Sequence, residues 1–417
     1  MDESLFDKLK SMGVQVGPGQ AKPKPRLSDL GIESVIQGSD LETMYGLAFI
    51  TEQSYTAEHR HGLVPLCDSQ DMSVLAAYAN TPKICVDGCR NVVFLDTETS
   101  GLMGGTGTYA FLIGIGYRTE AGFTLVQFFM RDPAQEAALL AALDQFLSRF
   151  DVVVTFNGKT FDLPLLNTRC VMNGISIPFD RFEHLDVLHI ARKLWRDRLP
   201  SRALGELERE IVQYYRSGED IPGWMIPDMY FEYLRTGDAR PLSGIFYHNA
   251  IDILSLAALY NHIAGLLHNP LQNAVGSGFD MAAIARLYEE MGRIEDAAAL
   301  YERALDQGDL PEEIFFKTME RYALMRRRQG DWEKAVHLWQ KAAAHGKLAA
   351  CIELSKYYEH HERNPSEALL WANKALELLR GRYTWEQAGR ATEKEIERRV
   401  GRLHQRVYRS MGSKTGG

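Results

Sequence analysis

Residues Val92–Glu98 read Val-Val-Phe-Leu-Asp-Thr-Glu: four apolar residues, then two carboxylates flanking a threonine. A short unbroken apolar run is the pattern of a strand buried on both faces. Side chains alternate along a strand, so Asp96 and Glu98 share a face. They fall at its carboxyl end, where α/β sheets present their sites. D-x-E alone is common in surface turns, and its weight depends on the surrounding chain.

Downstream, a Gly-rich turn (Gly104–Thr108) leads to two further strand-like runs, Ala110–Tyr117 and Phe123–Met130. Only Thr119–Gly122 separates them, which implies an antiparallel hairpin. Asp132-Pro133, an N-cap followed by Pro at N1, opens a helix reaching Arg149. Asp151–Phe156 is another buried strand, broken by Asn157-Gly158, and Phe161–Met172 reads as helix. This order predicts an α/β domain with an antiparallel edge on a partly parallel sheet. Leu185–Trp195, Arg202–Glu210 and the long stretch Leu242–Leu267 also read as helices, with a Pro/Gly loop from Gly218 to Pro227.

Beyond Met281 the pattern is helical and repetitive. Gly292…Ala297…Tyr301…Ala304 recurs as Gly330…Ala335…Trp339…Ala342 and, more weakly, as Arg363…Ala368…Ala372…Ala375. From Ala297 to Ala335 to Ala368 the steps are 38 and 33 residues, the period and small–aromatic–small pattern of tetratricopeptide repeats. The domain reading is therefore a flexible segment over 1–26 (Pro, Gly and Lys between Val16 and Arg26), a lead-in region over 27–90 packed on the next domain, an α/β domain over 91–268, repeats over 278–380, and a basic helix and tail over 381–417.

The 417 residues are 45% hydrophobic and 24% charged, ordinary globular usage that excludes a mostly disordered or collagen-like chain. No apolar run approaches the roughly 20 residues that span a bilayer; Ile251–Ala258 is interrupted by Asp252 and Ser255. The acidic start lacks an apolar signal region, so the expectation is a cytoplasmic protein without a membrane partner. The net charge of −8 repels nucleic acid globally, so such a partner needs local basic patches or metal. Arg380–Gly417 supplies one such asymmetry, with ten Lys/Arg against four Asp/Glu. Five scattered cysteines argue against a disulfide framework, and reduced thiols are favoured over a zinc site at Cys67, Cys85 and Cys89.

Two further motifs carry acids. Asp162 opens the helix after Asn157-Gly158. His248 and Asp252 stand four residues apart on one face of the long helix, among apolar neighbours where an Asp is costly unless paired or bound to a cation. Gathered at one sheet edge, Asp96, Glu98, Asp162 and Asp252 would repel one another and raise each other's pKa values. Two divalent ions, Mg²⁺ or Mn²⁺ for hard oxygen ligands, would remove that penalty and create a phosphodiester-cleaving site. His248 would act as general base.

This constellation resembles the DEDD superfamily of 3′–5′ exonucleases, which share the ribonuclease H-like fold: a mixed five-stranded sheet with flanking helices. The third motif departs from the pattern. Subclasses use His with four intervening residues or Tyr with three, whereas this chain has His248 with three and Tyr247 with four. His248 is preferred for its near-neutral pKa, with Tyr247 as the alternative. The stretches Phe94–Leu102, Gly104–Gly114, Phe156–Leu166, His184–Trp195, Asp220–Pro227 and Tyr247–Leu256 resemble more narrowly the YprB-like (mitomycin repair factor B-like) exonucleases, in which tetratricopeptide repeats follow the catalytic domain. That resemblance implies a metal-dependent DNA exonuclease in DNA repair, nucleoid-associated and beside a helicase, with Asp186 as an accessory acid. The alternatives are an inactive scaffold binding partners through its repeats and an RNA-processing exonuclease; RNA is not excluded as substrate. Candidate substrate contacts are Thr97, Gly105 and Thr106 of the Gly-rich loop, Asn157, and the basic strip Arg192, Lys193 and Arg196.

Overall fold

The computed structural model describes residues 30–67, 70–89, 91–101, 107–175, 179–218, 220–271, 276–381 and 387–412. Gly105, Thr106 and the segment 1–26 lie outside them. The described chain divides into two units, 1–189 with 203–264, and 190–202 with 265–417.

The first unit is built on a seven-stranded mixed sheet. Its strands are β1 (Ser39–Thr43), β2 (Gly46–Thr56), β5 (Val92–Thr99), β6 (Ala110–Arg118), β7 (Gly122–Phe129), β8 (Val152–Thr155) and β9 (Glu183–Asp186), in the order β1-β2-β7-β6-β5-β8-β9. A separate two-stranded ribbon pairs β3 (Arg60–His61) with β4 (Val64–Pro65). From β1 to β5 the neighbours run antiparallel, and β5-β8-β9 are parallel. Val92–Leu95 is fully buried at the centre, each side chain contributing about 1.5–3 kcal/mol of burial.

The expected sheet had five strands, and the structure corrects this to seven. The added pair, β1 and β2, comes from the lead-in region. β2 hydrogen-bonds to β7 from Phe49 to Thr56, yet its far half is mostly exposed and carries Glu52, Gln53 and Ser54. Past Ile50, where β1 no longer pairs with it, β2 is too polar to show a two-residue hydrophobic alternation. A second correction falls at Leu185: β9 continues to Asp186 and the helix begins at Val187.

The helix Leu242–His268 crosses the sheet. A window within it has mean hydropathy 1.5, enough by length and composition to cross a membrane, and 72% of that window is buried inside the protein. The expectation that no apolar stretch approaches spanning length is thus corrected: scattered Asp and Ser lower the local run but not the average. Its approach to the sheet is set by two glycines of β6. A Cβ at Gly114 would lie 2.2 Å from Asn249 Oδ1, and one at Gly116 would lie 2.5 Å from Ile253 Cγ2.

In the second unit, helices Gly278–Glu290 and Ile294–Asp306, Glu312–Arg328 and Trp332–Ala344, and Leu348–His360 and Pro365–Gly381 form three successive pairs, followed by Gln387–Gly412. The repeating positions Ala297, Tyr301, Ala304, Ala335, Trp339, Ala342, Ala368, Ala372 and Ala375 are all buried. Small residues there let paired helices approach, as in an all-helical solenoid.

Candidate functional site

The end of β5 leaves the apolar core at Asp96, where the chain turns from buried to half-exposed. Asp96 accepts a hydrogen bond from Asn249 Nδ2 at 3.0 Å. Asn249 is fully buried, and its Oδ1 accepts from Gln127 Nε2 of β7 at 3.0 Å. A buried amide pair thus fixes the acid to both the long helix and the sheet. Thr97 Oγ1 donates to Asp162 Oδ1 at 2.5 Å, so the middle residue of the first motif holds the acid of the second.

Asp162 starts the helix Asp162–Met172, where the helix dipole favours a carboxylate. The turn before it has Asn157 at φ 66°, a left-handed conformation that Asn tolerates. Asp186, at the end of the parallel strand β9, braces that turn. Its buried carboxylate accepts from the backbone N–H of Asn157 (2.8 Å), Lys159 (3.1 Å) and Leu188 (3.1 Å). The role of Asp186 is therefore to hold the turn that presents Asp162.

Asp252 and His248 stand on the long helix, with Nε2 of His248 3.6 Å from Asp252 Oδ2. His248 Nδ1 lies 2.7 Å from Asp220 Oδ1; with Nδ1–H donating there, Nε2 faces the cleft. Asp252 also pairs with Arg216. That guanidinium is held from behind by Glu208 at 2.8 Å, a buried acid in a widened π-helical turn, Glu208–Val212. Ser255 Oγ donates to Glu208, and His61 Nε2 lies 2.8 Å from the same Oγ. Tyr247, one residue from His248, accepts from Ser217 N–H at 3.1 Å. His248 and Asp252 line one cavity, Tyr247 another.

The electrostatics follow from this crowding. Asp96 is pushed well above the usual carboxylate range, first by burial, then by Asp252, Asp162 and Glu98, against the Asn249 hydrogen bond. Glu98 rises to about 8, chiefly by burial, with His248 and Arg216 opposing Asp252 and Asp162. Asp162 rises to about 6 by burial, moderated by Thr97. Burial pulls His248 down, but Asp252, Glu98 and Asp220 outweigh it and raise its pKa. Among the described residues, no three His, Cys, Asp or Glu side chains close on a single ion-sized point. The acids are within electrostatic reach of one another. The donor set, hard oxygens short of positive charge, fits divalent ions of the Mg²⁺ type.

Arg192, Lys193 and Arg196 belong to the segment 190–202 of the second unit. There Lys193 pairs with Glu290 at 2.7 Å and Arg196 with Asp197 at 3.6 Å, while Arg192 is exposed. The basic tail is similarly engaged: Arg399, Arg402 and Arg406 all pair with Glu359. Sequence reasoning missed Glu208, Arg216, Asp220 and Asn249. Asn249, between His248 and Asp252, and Asp220, at the head of the stretch Asp220–Pro227, stood in motifs without a role assigned to them; Arg216 lies in a loop with no periodic signal.

Residues 93–264 match the family model of the RNase_H superfamily. A protein of Bacillus subtilis (strain 168) described as "Uncharacterized protein YprB" is 31% identical over 374 residues, covering 86% of this chain and 84% of that one. The chain belongs to the YprB family. Its sheet and flanking helices are those of a ribonuclease H-like protein, and the activity this superfamily fold supports is of the nuclease type.

Proposed function

We propose that this protein is a metal-dependent 3′–5′ exonuclease of the DEDD type that hydrolyses DNA phosphodiester bonds. The observation that carries the reading is the convergence of carboxylates from three separated motifs: burial raises the pKa of Asp96, Glu98 and Asp162, and the charges of Asp252 and Asp162 raise Asp96 and Glu98 further. Such a cluster is costly to folding and useful to a polycation site. Asp96, Glu98, Asp162 and Asp252 would hold two divalent ions, which would supply an acidified water and neutralise charge on the leaving 3′ oxygen. His248 takes the proton from the attacking water at Nε2, with Asp220 orienting the ring through Nδ1. Asn249 and Thr97 keep Asp96 and Asp162 in position, and Asp186 keeps the turn before Asp162 from drifting. The choice of DNA, the 3′–5′ polarity, a repair role and a helicase bound through tetratricopeptide-type repeats rest on the family resemblance.

The test is a cleavage assay with 3′- and 5′-labelled single- and double-stranded DNA and RNA in Mg²⁺, Mn²⁺ or EDTA. Stepwise shortening from the 3′ end of DNA, abolished by EDTA, is the expected result. Cleavage of RNA alone moves the protein to RNA processing. No cleavage of any strand, with the protein folded and metal present, leaves a scaffold.

A further inference from the structure

The helix Gln387–Gly412 follows the three helix pairs of the second unit. Its inner stripe is apolar: Ile396 and Leu403 are buried, and Val400 packs with Leu403 against Ala368 and Ala372 of the helix Pro365–Gly381. At 3.6 residues per turn, Arg398, Arg399, Arg402, Arg406 and Arg409 all fall within an arc of about 100° beside that stripe and run over about 17 Å of helix. No Asp or Glu occurs in the helix after Glu397. One acid reaches the row from a neighbouring helix. Glu359, its side chain 1% exposed, pairs with Arg399 at 2.6 Å, Arg402 at 3.0 Å and Arg406 at 3.3 Å. Arg398 and Arg409 are exposed and pair with no acidic side chain among the described residues.

Five guanidinium groups thus stand against one carboxylate. The row sets like charges three and four residues apart, where they repel. The helix dipole rewards only Arg409, in the last turn. Such a surplus is relieved by an external polyanion, and its shape narrows the class. Phosphates along one duplex strand rise about 3.4 Å each, so ~17 Å spans about five of them. Planar guanidinium forks match phosphate oxygens. The row presents no large apolar side chain of the kind that anchors a protein interface; Tyr408, 82% exposed, lies by helical spacing on the other side of the apolar stripe.

We propose that this arginine row binds the phosphate backbone of duplex nucleic acid without reading its sequence, with Glu359 holding the inner arginines in line. Binding by the row needs no metal, so it stands apart from the nuclease reading.

The probe is a short fluorescein-labelled DNA duplex, titrated with the full chain in EDTA, where metal-dependent cleavage stops. Wild type is expected to bind with an affinity that falls steeply with salt. Arg398→Gln, Arg406→Gln and Arg409→Gln combined leave Arg399 and Arg402 on Glu359, so the packing is kept. Together they should weaken binding about tenfold and flatten the slope of log K against log salt by about 2–3. Gln405→Lys adds a cation at an exposed position next to the row and should tighten binding. A duplex of unrelated sequence should behave alike. Unchanged affinity and slope in both variants would remove the row from nucleic-acid binding, whatever the cleavage assay gives. Displacement of the duplex by polyglutamate at equal charge would assign the row to an acidic protein segment and overturn the proposal. If wild type and variants bind as expected but no strand is cut in Mg²⁺ or Mn²⁺, the row stands and the nuclease reading falls.

Discussion

Asp96 sits where an acid is expensive, half-buried at the end of β5 and within reach of three other carboxylates that raise its pKa. Asp96→Asn should therefore remove metal-dependent cleavage while leaving the metal-free protein at least as stable as wild type, since Asn can still accept from Asn249. Thermal melts in EDTA beside a cleavage assay test both halves; a folded variant with wild-type cleavage excludes Asp96 from the site. His248→Ala should lower turnover by roughly 10²–10⁴-fold, with partial recovery at high pH where hydroxide is available. If Tyr247→Phe is the damaging change instead, the base assignment moves to Tyr247. Arg216 has a different kind of importance. Glu208 is 2% exposed and depends on it, so Arg216→Met should cost about 3–5 kcal/mol by stranding a buried charge. Adding Glu208→Gln should restore part of that, as measured by urea unfolding.

At the scale of elements, the site depends on how closely the long helix approaches the sheet. Gly114 makes room for the Asn249 amide that holds Asp96. Gly114→Ala should cost about 1–3 kcal/mol through overpacking and reduce cleavage as the helix shifts. Wild-type activity with wild-type stability would show that the contact relaxes without moving Asn249. The helices and central strands were legible because their apolar spacing is strong, as in Val92–Leu95 and Asp162–Met172. β2 was not, because half of it faces water. β9 was not, because its four residues (Glu-His-Leu-Asp) carry too little apolar signal and run straight into a helix.

At the scale of the molecule, two histidines, the buried His61 and the half-buried His184, link stability to pH. Burial lowers His61 from 6.5 to about 3 and His184 to about 4. The native state keeps them neutral while the unfolded chain takes up protons. Their contribution is thus complete above about pH 6.5 and is lost as pH falls toward about 3. Urea midpoints should drop over that window in wild type and drop less in a His61→Gln, His184→Gln variant; equal slopes would mean the histidines do not titrate on unfolding. The segment 190–202 belongs with the helical unit, where Trp195 is fully buried and Arg198 and Asp197 pair with Asp280, Arg286 and Lys317. A chain ending after His268 keeps every proposed site residue but removes those partners. It should aggregate or melt earlier than the full chain. A monodisperse product with an unchanged melting midpoint would show that the segment is stable without them.

The strand end that carries Asp96 and Glu98, the helix start at Asp162, the helix face shared by His248 and Asp252 and the helical repeats were readable from the linear chain because each rests on local spacing: alternation along a strand, one face of a helix, small residues recurring at a fixed period. Local spacing also encodes the central strands, whose burial on both faces writes itself as an unbroken apolar run. What only the folded chain decided were partnerships between residues far apart in sequence. Asp186 bracing Asn157, Asn249 tying Asp96 to Gln127, and Arg216 joining Glu208 to Asp252 each pair polar groups from different elements. A polar side chain shows the same letter in the sequence whether it faces water or a buried partner, and the packing of sheet against helix selects between the two.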